Sequence, residues 1–301
     1  METNENEYLR AVLAAQQLKD DSAELKELQS ERAKVEEIIR KKFGSVPTIR
    51  YGGSKAKGDL IKESYDLDLI CYFPFDSNAG GETLENIYRN VRDCVSATYY
   101  VDEKTSALRL KSNDLKEYMR DFHIDVIPGR FTDDKKGDCF IYQKSAEKCR
   151  LKTNLDVHIS HIKNSGVLDA LCLLKLWKIR RVIKLKNFVF ELIVVDLLRG
   201  KKSSSLEDQL THVWTKLKDS PEPIAVEDPA NPAGNDLSPY VKAAWSELSG
   251  AATSTLTVIE NSGWENVFGA LSKTGTAPSV KMMQRAAAAV ISPNKPWCPN
   301  A

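Results

Sequence analysis

Between residues 5 and 43 apolar positions return every third or fourth residue among Lys and Glu: Leu9, Val12 and Leu13, then Leu25, Leu28, Val35, Ile38 and Ile39. That period predicts one long amphipathic helix or two, stopped at Gly44 with Pro47 just beyond. The period then falls to two. Residues 48–51 read as a short strand ending in Gly52-Gly53, and DLDLICYF (66–73) reads as a second. Residues 83–95 carry a helical pattern, ATYYVDEKTSALRLK (97–111) a two-stranded hairpin, and DFHIDVIPGRF (121–131) a strand with Pro128-Gly129 as its turn signal. Past residue 165 the pattern is helical again. GVLDALCLLKLWKIRRVIK is followed by NFVFELIVVDLLRG, which is apolar nearly all round, as a core helix is, with Gly200 expected as its C-cap. A Pro/Asn/Asp-rich loop is predicted over 219–239, a helix over 240–260, a closing helix at SVKMMQRAAAAVI and an irregular tail after it. The order is helix, mixed α/β, then helical. It predicts an α/β (α+β) chain of two lobes with a cleft between them, divided at 1–44, 45–165 and 166–301.

Composition sharpens this picture. Of the 301 residues, 42% are hydrophobic and 28% charged, as in a soluble globular protein with a sizeable core. The net charge of +1 excludes an electrostatic glove for long nucleic acid, so any anion site must be a local cluster. No apolar run approaches the roughly 20 residues that span a bilayer, and METNENEYLR is too polar and acidic for a signal peptide. The six cysteines (71, 94, 139, 149, 172 and 298) contain no CxxC pair and are expected to be reduced thiols in a cytoplasmic protein.

The chemistry gathers at YGGSKAKGDLIKESYDLDLICYF (51–73). On a strand, residues i and i+2 share a face, so Asp66 and Asp68 project together while Leu67 and Leu69 enter the core. Two carboxylates so close repel unless something positive stands between them, and a hard divalent cation, most often Mg²⁺, is the usual answer. Asp125, flanked by Ile124 and Val126, is the candidate third ligand, on a strand expected to pair beside the first. Upstream, Gly52, Gly53 and Ser54 allow close backbone approach to a phosphate, with Ser54 expected to cap the short helix KAKGDLIK. His158 and His161 in HISH have an i, i+3 spacing but no cysteine or carboxylate partner at ligand spacing, so no metal is expected there. Glu191 and Asp196, inside the apolar helix, are expected to be structural partners of basic residues in the other lobe.

This order of glycine–serine, a hydrophobic-flanked DxD and a distant third Asp resembles the DNA polymerase β-type nucleotidyltransferase superfamily. HIDVIP, LLKLWK with FVFELIVVDLL after it, EDPANPAGNDL and GWENVFG narrow the resemblance to the cGAS/DncV-like nucleotidyltransferases, across about residues 45–270. The resemblance implies a polymerase β-like mixed-sheet lobe plus a C-terminal helical lobe, braced by a long N-terminal helix. It implies that Asp66, Asp68 and Asp125 ligate two Mg²⁺ ions, with Mn²⁺ as a substitute, and that Gly53 and Ser54 hold a triphosphate. Lys175 matches a lysine that reaches the phosphates, with Lys178 one turn on to assist. Where the family commonly has a phosphate-touching serine this chain has Asn187, whose amide can still donate.

The activity so implied is condensation of NTPs, chiefly ATP or GTP and also UTP or CTP, into a cyclic di- or trinucleotide messenger of bacterial anti-phage (CBASS) signalling. A regulatory protein or ligand would activate it, and a downstream effector would bind the product rather than this chain. Membrane and long nucleic acid are not expected partners. Two other readings stand beside it: a linear nucleotidyltransferase acting on tRNA, another RNA or a small molecule, and a catalytically silent nucleotide-binding protein on the same fold. No chemistry attaches to the 227–237 loop.

Overall fold

A computed structural model describes residues 4–18, 22–114, 121–144 and 149–271 of the chain. The expected closing helix and tail lie outside these residues. The amphipathic N-terminal region forms two helices, α1 (Asn4–Gln16) and α2 (Ala23–Phe43). Ser22 caps α2 by accepting from the Leu25 N–H, and Gly44 ends it at φ 61°. The two helices serve different cores. Leu9, Val12 and Leu13 of α1 pack with the helical half of the chain, whereas Leu28, Val35, Ile39 and Phe43 of α2 pack on the sheet.

The sheet is built from β1 (Thr48–Tyr51), β2 (Leu67–Phe73), β3 (Tyr99–Glu103), β4 (Leu108–Ser112), β5 (Asp121–Phe131), β6 (Cys139–Tyr142) and β7 (Arg150–Thr153). Two helices interrupt these strands, α3 (Gly53–Lys57) and α4 (Leu84–Ser96). The strand order is β1-β2-β5-β4-β3, with β6 also pairing β5 and β7 pairing β6. β2 and β5 run parallel and every other pairing is antiparallel. Alternation sorts the faces. Leu67, Leu69, Cys71 and Phe73 enter the core under α2 and α4, while Ile70 and Tyr72 join Phe131, Cys139 and Ile141 on the other face.

Pro128-Gly129 is not a turn: β5 runs straight through it. The pairing of β4 with β5 ends at Val126 and that of β6 begins at Gly129, so Pro128 falls where β5 exchanges one neighbour for the next. A residue without an N–H is tolerated at such a gap. Gly129 is required by crowding, because a Cβ there would stand 2.9 Å from Phe140 O.

The remaining helices are α5 (Leu155–Lys163), α6 (Leu168–Arg180), α7 (Asn187–Leu197), α8 (Leu206–Asp219), α9 (Ser238–Ser262) and α10 (Glu265–Phe268). The C-cap of α7 is Leu198, with Gly200 two residues beyond it at φ 81°. Trp177, Trp214 and Trp264 form an aromatic spine through the helical core, with centroids 5.7 and 5.6 Å apart. Trp177 Nε1 donates to Thr255 Oγ1 at 2.8 Å. Tyr8 OH ties α1 to the far end of the described chain by donating to Gly269 O at 2.6 Å. The five described cysteines are free, four of them buried. Among the described residues no helix is long and apolar enough to cross a membrane.

Candidate active site

A cleft of about 610 Å³ opens between the sheet and the helical half, within the usual size range of ligand pockets. Gly53, Ser54, Asp66, Asp68, Arg109 and Asp125 line one wall, and His158, Asn187, Phe188 and Glu191 the other. The parallel register of β2 and β5 sets Asp68 directly beside Asp125. Both share the face of Ile70 and Ile127, turned away from the α2–α4 core, so neither carboxylate competes with core packing. Asp66 precedes β2 by one residue and joins them at the mouth of the sheet.

The three carboxylates differ in their partners. Arg109, in register opposite Asp125 on β4, donates from Nε to Asp125 Oδ1 at 2.6 Å and from Nη2 to Asp125 Oδ2 at 2.8 Å. Its Nη2 also donates to Asp66 Oδ2 at 2.8 Å. The other oxygen of Asp66 lies 2.8 Å from His123 Nδ1. Burial alone would raise Asp66, but the hydrogen bonds from His123 and Arg109 hold it below the usual carboxylate range. Asp68 accepts no side-chain hydrogen bond from any described residue. Burial, reinforced by the charge of Asp125, pushes its carboxyl up to about 7, against the pull of Lys57.

Gly53 is a glycine because of Asp68. A Cβ at Gly53 would stand 1.5 Å from Asp68 Oδ2, and the backbone is left-handed at φ +50°. Gly53→Ala is therefore expected to displace Asp68 and to cut nucleotide turnover. The left-handed backbone alone should cost roughly 1–2 kcal/mol of stability, read as a lower melting temperature.

Ser54 does not cap α3. The N-cap is Gly52, and the helix closes after Lys57 at left-handed Gly58, shorter than expected. Ser54 instead sits in the first turn, and its hydroxyl accepts from Lys175 Nζ at 2.8 Å. Nor does the structure bring Lys175 to the cleft wall. It is fully buried, and its three protons go to Ser54 Oγ, to Asp59 O at 3.0 Å and to Asp59 Oδ2 at 2.8 Å. With Lys175 as its fixed donor, Ser54 keeps its own O–H to give toward the cleft.

Lys178 is a plain correction. Its ammonium donates to Leu185 O at 2.7 Å, away from the cleft, and burial together with the Lys175 charge lowers it to about 8. Asn187 does line the cleft, as the first residue of α7. Glu191 pairs, as expected, with a base from the sheet half, Lys57, and it also lies 3.1 Å from Lys175. Asp196 does not: it is exposed and pairs within its own helix end with Arg199 at 2.7 Å. His158 faces the cleft against Phe188, with ring centroids 4.4 Å apart, and its Nε2 lies 2.7 Å from the buried Asp228 Oδ1. Asn235 donates to the other oxygen of Asp228 at 2.7 Å, so the EDPANPAGNDL loop is pinned to the cleft edge.

The donor set of Asp66, Asp68 and Asp125 is all carboxylate oxygen, which suits a hard divalent cation. Among the described residues no three metal-ligating side chains stand ready as a cluster, and Arg109 bridges Asp66 and Asp125. The fit rests on Asp68, a carboxylate beside two others with no cationic hydrogen-bond partner of its own.

Residues 32–152 match the family model of the nucleotidyltransferase domain. No curated protein matches the chain. Among solved structures, CdnC of E. coli MS115-1 with ATP is 16% identical, with a TM-score of 0.65 over 88% of this chain and 98% of that one. The cyclic AMP-GMP synthase DncV of Vibrio cholerae, described as a prokaryotic cGAS homolog, is 13% identical, with a TM-score of 0.55 over 88% and 79%. The poly(U) polymerase Cid1 bound to MgGTP is 13% identical, with a TM-score of 0.60 over 89% and 98%. At such identities the likeness is one of fold. Residues 32–152 thus resemble a nucleotidyltransferase domain, and the chain is similar in fold to the cGAS/DncV-like structures.

Proposed function

We propose that the protein is a Mg²⁺-dependent enzyme that condenses NTPs into a cyclic di- or trinucleotide messenger, releasing pyrophosphate, in bacterial anti-phage signalling. The observation that carries this reading is the register of β2 on β5, which sets Asp68 beside Asp125 on the same cleft wall as Gly53 and Ser54. When bound, the divalent ions would activate the attacking hydroxyl and neutralise the leaving pyrophosphate. Asp66, Asp68 and Asp125 would hold them. Ser54 would donate its hydroxyl to a phosphate oxygen, oriented from behind by Lys175, and Asn187 would donate its amide from the opposite wall. Lys175 acts here through Ser54 rather than on the phosphates. ATP and GTP are the substrates favoured, since CdnC is seen with ATP and a CdnG neighbour with GTP. A regulatory protein partner belongs to the same reading, because CdnC also occurs in a HORMA-deltaN complex. So do the division at residues 1–44, 45–165 and 166–301 and the cytoplasmic location.

The second reading is a linear nucleotidyltransferase, favoured by the likeness to Cid1. Product class separates the two. The protein is incubated with all four NTPs and Mg²⁺ or Mn²⁺, treated with phosphatase and analysed by mass spectrometry. A phosphatase-resistant cyclic product is expected. Extension of an added RNA with no cyclic product would move the assignment to the linear reading, and nucleotide binding without pyrophosphate release would make the protein a silent binder.

A further inference from the structure

Arg109, on β4, joins three acidic side chains at the cleft. It binds both oxygens of Asp125 and one of Asp66, and its Nη1 reaches Asp121 Oδ2 at 3.4 Å. A hard cation shared by Asp66 and Asp125 would draw on these same carboxylate oxygens. A lone pair aimed at a guanidinium is not free for an ion. The second oxygen of Asp66 is engaged by His123. Only Asp68 is uncovered.

We propose that Arg109 is the charge surrogate of the divalent cation. It gathers Asp66 and Asp125 in the metal-free protein and gives them up as the ion binds, so that metal affinity is set by competition with the guanidinium. This rests on the metal reading of the site. The guanidinium suits the part because its planar fork meets two carboxylates from different strands at once, which a point-charge ammonium cannot do. The pairing is open enough for exchange: the Arg109 side chain is 21% exposed and that of Asp66 40%.

A purely structural ion pair and a surrogate cation both predict a less stable metal-free protein when Arg109 is removed. Competition predicts tighter metal binding and, unlike the mere loss of a neighbouring charge, predicts it also for a lysine that keeps the charge but lacks the fork. The test is a titration of the full chain with Mn²⁺ alone, without nucleotide, counting free Mn²⁺ by electron paramagnetic resonance. Arg109→Gln is expected to bind about tenfold more tightly than the parent, the equivalent of one charge-assisted hydrogen-bond pair. Arg109→Lys should fall between the two, and it carries the test if the Gln variant does not fold. Asp68→Asn in each background should remove the binding, which identifies the ion counted as the one at this site. Equal or weaker Mn²⁺ binding by the Arg109 variants, with a parent that binds, would overturn the surrogate role and leave the metal reading standing. No Mn²⁺ binding by parent or variants would overturn both.

Discussion

Asp68→Asn is expected to lower nucleotidyl transfer by about 10³-fold while making the metal-free protein harder to unfold above neutral pH. The two effects share one cause. The Asp68 carboxylate is packed against Asp125 with no cationic hydrogen-bond partner of its own, and its carboxyl is pushed up to about 7 from the usual 3.8. A carboxyl raised in the folded state binds its proton more tightly there than in the unfolded chain. Its contribution to stability is therefore full below pH 3.8, declines as pH rises, and is lost on passing through about 7. Asparagine has no proton to lose and leaves that pH dependence out. Thermal melts of parent and variant without metal, below pH 3.8 and above pH 7, should diverge only at the higher pH, with the variant melting later. Added Mn²⁺ should raise the parent and not the variant. A variant that melts earlier than the parent at the higher pH would make Asp68 a structural carboxylate, and a variant with full NTP turnover would remove it from the metal site.

The largest effect on stability is expected at Glu191. Lys57, Asp59, Lys175 and Glu191 are all buried and link α3 of the sheet half to α6 and α7 of the helical half. The lysines hold Glu191 down at about 2 despite its burial, while burial and the Glu191 charge push Asp59 up. Glu191→Ala would leave two buried ammonium groups with Asp59 alone between them. Losing one partner of such a group costs about 3–5 kcal/mol, and urea unfolding should show a midpoint lowered by that loss divided by an unchanged slope. The double change Lys57→Met with Glu191→Leu removes charge of both signs and should recover much of the loss. Because the folded-state value of Glu191 lies below its usual 4.5, the stability it supplies is present above 4.5 and is lost as pH falls toward 2. A Glu191→Ala protein that unfolds like the parent would mean that the network is solvated and contributes nothing.

Much of this was legible in the chain, and the exceptions have physical reasons. Alternation in DLDLICYF and FHIDVIP announced both core strands and put the aspartates on their free faces, because a buried strand must sort its side chains by parity. Register is not written in a strand, so the partnership of Arg109 with Asp125 was invisible: in ALRLK an alternating Arg looks like an exposed one. The misreading of Pro128-Gly129 has the same origin, since only the sheet shows that one neighbour ends there and another begins. β6 and β7 are too short for a period to declare itself. α8 is a different case. Its signal was present, with Ser205 as cap and Leu206, Leu210, Val213, Trp214 and Leu217 at helical spacing. Lys178 lay one turn from Lys175, but burial sent its ammonium to Leu185 O, which spacing along the chain does not reveal.

The division of labour between α1 and α2 bears on how the chain is made. α1 leaves the ribosome before the sheet, yet the helices it packs on, α6 and α8, are synthesised only after the whole sheet. The sheet half can close on its own core with α2 while Leu9, Val12 and Leu13 still face water. A nascent chain halted before α6 would therefore display an unpartnered apolar stripe on α1, the kind of surface that recruits holdase chaperones. The bond from Tyr8 to Gly269 would be among the last to form, joining an early-made segment to a late-made one.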